Sequence, residues 1–98
     1  MAETGFLDLF GVNPRARVLD FFVENDTLDY SKDQVAEITG VSWISLDKFW
    51  DNLIKMGIIK KTRKIGKSEL FKLNELDPIA KYLIKIDKEL TLRDLDRE

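Results

Sequence analysis

The sequence predicts a mainly α-helical domain of the α+β class, with one small β-hairpin. Three observations carry this prediction. Helix start and stop signals, such as Asn13-Pro14 and Gly40, recur through the first half of the chain. Residues 58–74 have strand character at both ends around a turn at Ile65-Gly66-Lys67. An apolar spacing of about four, three and four residues from Ile79 onward then predicts a long final helix.

Length and composition fit one compact domain and disfavour several classes of protein. The 98 residues are 44% hydrophobic, which is enough for a core. There is no cysteine and no histidine, which excludes disulfides and thiolate metal sites and removes the usual general base. We therefore expect no catalytic residue, no metal and no cofactor. The absence of both residue types, beside abundant lysine and glutamate, also favours a thermophilic source.

No apolar run approaches the roughly 20 residues of a membrane span, and no signal-peptide pattern begins the chain, so we expect a cytoplasmic protein without membrane contact. The pattern predicts four segments. Residues 1–12 form a short apolar element that packs on the body or on a partner, and residues 13–76 form the main domain. Residues 77–92 form a C-terminal dimerisation helix, and residues 93–98 a frayed tail.

Cap signals define three helices in the main domain. Asn13 caps a helix that Asn25-Asp26 ends. Ser31 and Gln34 fit a capping box for a helix over Lys32–Thr39, which Gly40 stops. Ser42 opens a third helix, which extends to about Met56. Together with the hairpin, this order is that of a winged helix-turn-helix with an additional C-terminal helix. In that fold the third helix is free to enter the major groove of DNA.

The third helix therefore supplies candidate readers of double-stranded DNA. Its predicted DNA-facing residues are Trp43, Ile44, Ser45, Asp47, Lys48, Asn52 and Lys55. Two interpretations of the apolar start stay open. Trp43 either folds back on the core or supports a subunit contact, or it meets thymine methyl groups or a protein partner.

The hairpin concentrates positive charge, although the formal net charge of the chain is −2. Its cations, with two arginines of the first helix, are the predicted phosphate contacts: Lys60, Lys61, Arg63, Lys64, Lys67, Arg15 and Arg17. Both arginines lie in a first helical turn, where the helix dipole disfavours positive charge, so a role beyond helix stability is expected. The alternative for the hairpin is a solubilising edge, since lysines also protect exposed strands.

The final helix has two interpretations: packing on its own domain, or pairing with a second copy. We favour pairing, because apolar residues cover more than one narrow face of this helix. The predicted dimer interface is Ile79, Tyr82, Leu83, Ile86 and Leu90. A two-fold dimer presents two recognition helices to a pseudo-palindromic site.

The segments FGVNPRARVLDFFVEN, LDYSKDQVAEITGVS, DNLIKMGII and TRKIGKSELFKLNELDP make the chain resemble a family. It is similar to the small archaeal winged helix-turn-helix transcriptional regulators, broadly of the ArsR and MarR type. The resemblance implies a homodimer that binds DNA through Trp43, Ser45, Asp47 and Lys48. It also implies backbone contacts from Arg63, Lys64 and Lys67. Metal sensing is not implied, because the metal-binding cysteines and histidines are absent.

The expected function is therefore a sequence-specific transcriptional regulator that binds double-stranded DNA as a homodimer. The alternative is a winged-helix module that binds proteins of the transcription or replication machinery. The acidic net charge and the apolar pair Trp43-Ile44 favour that alternative, and the basic hairpin argues against it.

Overall fold

The computed structural model describes residues 4–96 of the chain. The helices of this part are α1 (Gly5–Phe10), α2 (Pro14–Glu24), α3 (Lys32–Thr39), α4 (Trp43–Asp47), α5 (Trp50–Lys55) and α6 (Pro78–Asp96). The strands are β1 (Tyr30–Ser31), β2 (Ile59–Ile65) and β3 (Ser68–Leu73), which form one antiparallel sheet in the order β1-β3-β2. The α+β class is confirmed.

The predicted cap residues start and stop α2 and α3. The Asn13 side chain accepts a hydrogen bond from the Ala16 N–H at 2.9 Å, and Pro14 is the first residue of α2. Ser31 and Gln34 form the predicted capping box, in which each side chain bonds the other residue's backbone N–H. Gly40 ends α3 in the left-handed conformation, with a φ of 74°. These local signals fix where both helices begin and end.

The core lies between the helices and one face of the sheet. Trp50 is at its centre, with its ring 6.0 Å from Phe22 of α2 and 5.2 Å from Phe71 of β3, measured between centroids. Phe22, Leu46 and Phe71 are buried, as is Trp50 itself. The same core therefore positions α4, α5 and the β2–β3 hairpin relative to one another.

The apolar N-terminal segment forms α1, which packs on the body of the same chain. Phe6 and Leu7 are buried in the core. Thr4 caps the helix and also donates a hydrogen bond to Asp20 at 3.2 Å. The first three residues of the predicted element, residues 1–3, lie outside the described part of the chain. This segment was expected to pack on the body of its own chain or on a partner, and the structure shows packing on its own chain.

The prediction of one continuous third helix from Ser42 to Met56 is wrong, because the chain bends at Lys48 and Phe49. Here the N–H groups of Lys48 and Phe49 bond the carbonyls three residues back, and Phe49 leaves the helical region with φ −138° and ψ −8°. The bend separates two large adjacent side chains. Phe49 lies under the Arg15 guanidinium of α2, whereas Trp50 packs towards the sheet. Burying both rings at different sites accounts for the break.

The final helix continues beyond residue 92, where a frayed tail was expected, and runs to Asp96. One side of its C-terminal half contacts α1. A Cβ atom added at Gly5 would lie 3.0 Å from the Leu90 Cβ and 3.3 Å from the Asp94 Oδ2. This close approach of α1 gives the last turns of α6 a tertiary contact. Residues 97–98 of the predicted tail lie outside the described part.

Candidate nucleic-acid interface

The residues of the third helix that were predicted to face DNA are exposed on α4, α5 and the bend between them, except for Ser45. Ile44 is 75% exposed and Trp43 is 46% exposed. The remaining exposed members are Asp47, Lys48, Asn52 and Lys55, while Ser45 is half-buried. Asn52 donates from its side-chain amide to the Met56 sulfur at 3.6 Å. The helix pair thus presents an apolar first turn followed by mixed polar residues.

Lys32, at the start of α3, organises that first turn. Its Nζ forms an ion pair with Asp47 and lies 4.5 Å from the centroid of the Trp43 ring. Lys32 therefore offsets the negative charge of Asp47 at this end of the helix pair. The contact also holds the indole on the protein surface. Sequence reasoning missed Lys32, since its two partners are more than ten residues further along the chain.

Four of the hairpin cations are paired with carboxylates. The Lys61 Nζ lies 2.8 Å from Glu69, and this contact holds the pKa of the Glu69 carboxyl below its usual value. Glu75 lies between Lys60 at 3.8 Å and Lys72 at 3.5 Å. The fourth pair joins Arg63 to Asp29. The concentrated charge that the sequence predicts is therefore partly offset within the chain.

Asp29, in the link before β1, holds Arg63 with two hydrogen bonds. The Arg63 Nε donates to Asp29 Oδ2 at 3.0 Å, and Nη2 donates to Oδ1 at 3.2 Å. Thr62 Oγ1 donates to the same Oδ2 at 2.6 Å. These hydrogen bonds lower the pKa of Asp29, and the bond from Arg63 is the largest cause. Asp29 in turn raises the pKa of Arg63.

A β-bulge makes the Asp29 contacts possible. The register of β2 against β3 shifts between Lys61 and Arg63, so that Thr62 is the extra residue. Consecutive strand residues normally point to opposite faces. The bulge lets neighbouring Thr62 and Arg63 reach one carboxylate. No local signal in the sequence links Asp29 to a residue 34 positions away.

Five predicted cations form no ion pair with residues 4–96. They are Arg15, Lys48, Lys55, Lys64 and Lys67. On one side of the helix pair, Arg15 and Lys48 line a hollow of about 480 Å³ together with Ser45. On the other side, Lys67 of the hairpin turn lines a cleft of about 360 Å³ with Trp43 and Asp51. Cations without an ion pair thus lie on both sides of α4 and α5, although Asp33, Asp51 and Glu69 also line the cleft beside Lys67.

The structure does not bring Arg17 to this surface. Its half-buried side chain lines a different groove, with Asp20 and Glu24 of α2 and Leu7 of α1. Arg15 and Arg17 point in different directions because they are two residues apart on a helix, about 200° around its axis. Arg15 remains a candidate phosphate contact, and Arg17 is placed among carboxylates of the same domain.

The predicted dimer residues divide between two environments. Leu83 packs against the core of its own chain, and Leu90 contacts Gly5 of α1. Ile86 is half-buried, and it lines a hollow with Leu9. Ile79 and Tyr82 remain more than half exposed. One face of α6 therefore docks on its own domain and the other is uncovered, and pairing with a second copy stays a prediction.

Asp20, Glu24 and Asp87 bring carboxylate oxygens within 4.8 Å of one another between α2 and α6. Burial raises the pKa of Glu24, and the neighbouring charges of Asp87 and Asp20 raise it further. Burial also raises the pKa of Asp87. Carboxylates in this arrangement suit a hard cation, but exposed acidic groups commonly cluster without one. We assign no metal to them.

No protein-family model matches the sequence, and no curated protein is significantly similar to it. None of the helices within residues 4–96 combines the length and apolar character needed to cross a bilayer. The function of the chain is therefore inferred from the surface of α4, α5 and the hairpin.

Proposed function

We propose that this chain is a transcriptional regulator that binds double-stranded DNA as a homodimer, in the cytoplasm and without a cofactor. The proposed fold is a winged helix-turn-helix with an additional C-terminal helix. In this proposal α2, α3 and the α4–α5 pair form the three-helix body, and the β2–β3 hairpin is the wing. The order β1-β3-β2 and the position of the hairpin directly after α5 support it.

The observation that carries the proposal is the pair of unpaired positive regions beside the exposed face of α4–α5. Arg15 is the unpaired cation of one region, in the hollow that Lys48 also lines, and Lys67 of the wing is the unpaired cation of the other. A recognition helix in the major groove has a phosphate strand on each side. Cations at both edges suit that geometry, and the exposed side chains between them suit base edges and methyl groups.

The proposal assigns separate roles to the residues of the helix pair. Ser45 and Lys48 are the polar readers, because both face the hollow beside α4. Trp43 and Ile44 supply apolar contact, which on DNA is available from thymine methyl groups. Asp47 forms an ion pair with Lys32, and its main role is to stabilise the first turn of α4.

Selection of bound duplexes with the Lys48→Ala variant tests this assignment. The variant should change the preferred base at one or two positions of each half-site, whereas Lys88→Ala, an exposed lysine of α6, should leave the preference intact. An unchanged preference for Lys48→Ala would remove this residue from the recognition surface.

The exposed apolar residues of the helix pair favour a second function, the binding of a protein. Trp43, Ile44, Ile54 and Met56 are all exposed on the helix pair, while four of the wing cations are offset by carboxylates. An apolar surface rimmed with polar residues is typical of a protein-binding site. In this alternative the winged helix binds a protein of the transcription or replication machinery. Ile44→Asp would then abolish partner binding, and DNA binding would be absent for the unmodified chain at low salt.

A further inference from the structure

The uncovered face of α6 carries a stripe that differs from the predicted dimer interface. Leu83 and Leu90 are directed at their own chain, but Tyr82 is 63% exposed and Leu92 is 55% exposed. Lys85 and Glu89 are exposed between them. We call Tyr82, Lys85, Glu89 and Leu92 the outer stripe.

The outer stripe has the spacing of a helix-pairing seam. Its members are separated by three, four and three residues. At about 100° per residue all four fall within an arc of about 80° on the helix surface. Lys85 and Glu89 form no ion pair with any residue between 4 and 96. The stripe therefore presents two apolar side chains and two unsatisfied opposite charges in one line.

The order of these residues is self-complementary when the helix meets a reversed copy of itself. Tyr82 and Leu92 are each five residues from Asp87, and Lys85 and Glu89 are each two residues from it. Turning a second α6 about a two-fold axis near residue 87 sets Tyr82 opposite Leu92 of the partner and Lys85 opposite Glu89 of the partner. Each contact then occurs twice, as an isologous interface requires.

A hollow beside Tyr82 gives the partner leucine a place. It measures about 420 Å³ and lies in the first half of the helix, between Tyr82, Ile84 and the aliphatic parts of Lys81 and Lys85. A reversed copy brings its C-terminal half, which carries Leu92, over this hollow. The contact thus has a Tyr82–Leu92 pair at each end and the two charge pairs near its centre.

We infer that two copies of this chain associate through antiparallel pairing of α6 along the outer stripe, with reciprocal Lys85–Glu89 ion pairs setting the register. A parallel arrangement sets Lys85 against Lys85 and Glu89 against Glu89, and like charges opposed in this way disfavour it. The inference names the contact of the homodimer in the proposed function. It is measured without DNA, so its failure and that of DNA binding are separable.

Exchanging the two charges tests the pairing. The unmodified chain should sediment at twice the chain mass. Lys85→Glu alone and Glu89→Lys alone should each sediment as a monomer, with dissociation constants raised at least about tenfold, while an equimolar mixture of the two should recover the dimer. Lys55→Glu makes the same charge change on α5 and should remain dimeric. A monomeric unmodified chain, or a dimer that neither single variant weakens, would overturn the inference.

Cysteine pairing gives the direction of the helices independently. The chain has no cysteine of its own. A mixture of Tyr82→Cys and Leu92→Cys proteins should form a disulfide-linked dimer on mild oxidation. Each variant alone should not, because its own two cysteines are offset by about 15 Å along the helix axis, beyond the reach of a disulfide. Rapid linkage of each variant to itself, with no disulfide between the two different variants in the mixture, would establish a parallel pair instead and refute the model.

Discussion

The division of the wing cations into paired and unpaired groups makes a quantitative prediction for DNA binding. Lys64 and Lys67 have no ion pair within residues 4–96, whereas Lys60 and Lys61 are held by Glu75 and Glu69. A lysine that already neutralises a carboxylate displaces less counterion from DNA, because its charge is partly offset before binding. We therefore expect Lys64→Ala with Lys67→Ala to affect binding more than Lys60→Ala with Lys61→Ala.

The expected magnitude follows from counterion release. Each phosphate neutralised contributes about 0.9 to the slope of log K against log salt concentration. Removal of Lys64 and Lys67 should flatten the slope by about 1.8. Between 50 and 200 mM salt the unmodified protein would then lose about 12-fold more affinity than this variant. Removal of Lys60 and Lys61 should flatten the slope by less than about half as much.

Fluorescence anisotropy with one labelled duplex, at four or more salt concentrations, measures all three proteins on the same scale. Sedimentation of each variant confirms that the oligomeric state is unchanged, since a loss of dimer would also lower the slope. Equal flattening by the two double variants would refute the argument that the internal ion pairs restrain the wing. A slope insensitive to both would remove the wing from the DNA interface altogether.

Three further predictions follow from individual contacts. Asp29→Asn releases Arg63 from its ion pair, so we expect the same salt slope to steepen by up to about 0.9; an unaltered slope would mean that Arg63 does not reach phosphate. Trp50→Ala should lower the free energy of unfolding by about 3–5 kcal/mol in urea titrations, because the indole is buried between Phe22 and Phe71; a loss below about 1 kcal/mol would contradict this packing. Because the pKa values of Glu24 and Asp87 are raised, the folded chain keeps their protons at pH values where the unfolded chain has released them. Their contribution to stability should therefore fall as pH rises through and above their usual pKa values, 4.5 and 3.8. Asp87→Asn should weaken this dependence and stabilise the protein at neutral pH in thermal melts, and a lower melting temperature at neutral pH would show that the charged carboxylate is favourable.

Local chemistry made the boundaries of α2 and α3 predictable. Asn13 and Ser31 start helices because their side chains bond free N–H groups only a few residues away. Gly40 ends a helix through its own backbone freedom. Such signals act over one helical turn, so the sequence contains both partners of each interaction in a short window.

Features that depend on distant partners were not predictable in the same way. The bend at Phe49 reflects two different burial sites for adjacent rings, one beside α2 and one beside the sheet. The Lys32–Asp47 contact and the Arg63–Asp29 contact join different elements of the fold. A count of charges along the hairpin therefore overstates its free positive charge. The four-three-four spacing of α6 also fits a helix that packs on its own domain. Leu83 and Leu90 pack in this way, Leu83 on the core and Leu90 beside Gly5 of α1.

Selection from a randomised pool of duplex DNA, with sequencing of the bound fraction at two salt concentrations, tests the central proposal most directly. We expect an enriched inverted repeat with half-sites about one helical turn apart, recovered at both concentrations. Absence of any enrichment or binding, even at low salt, would contradict a DNA-binding regulator and favour the protein-binding surface at Trp43 and Ile44.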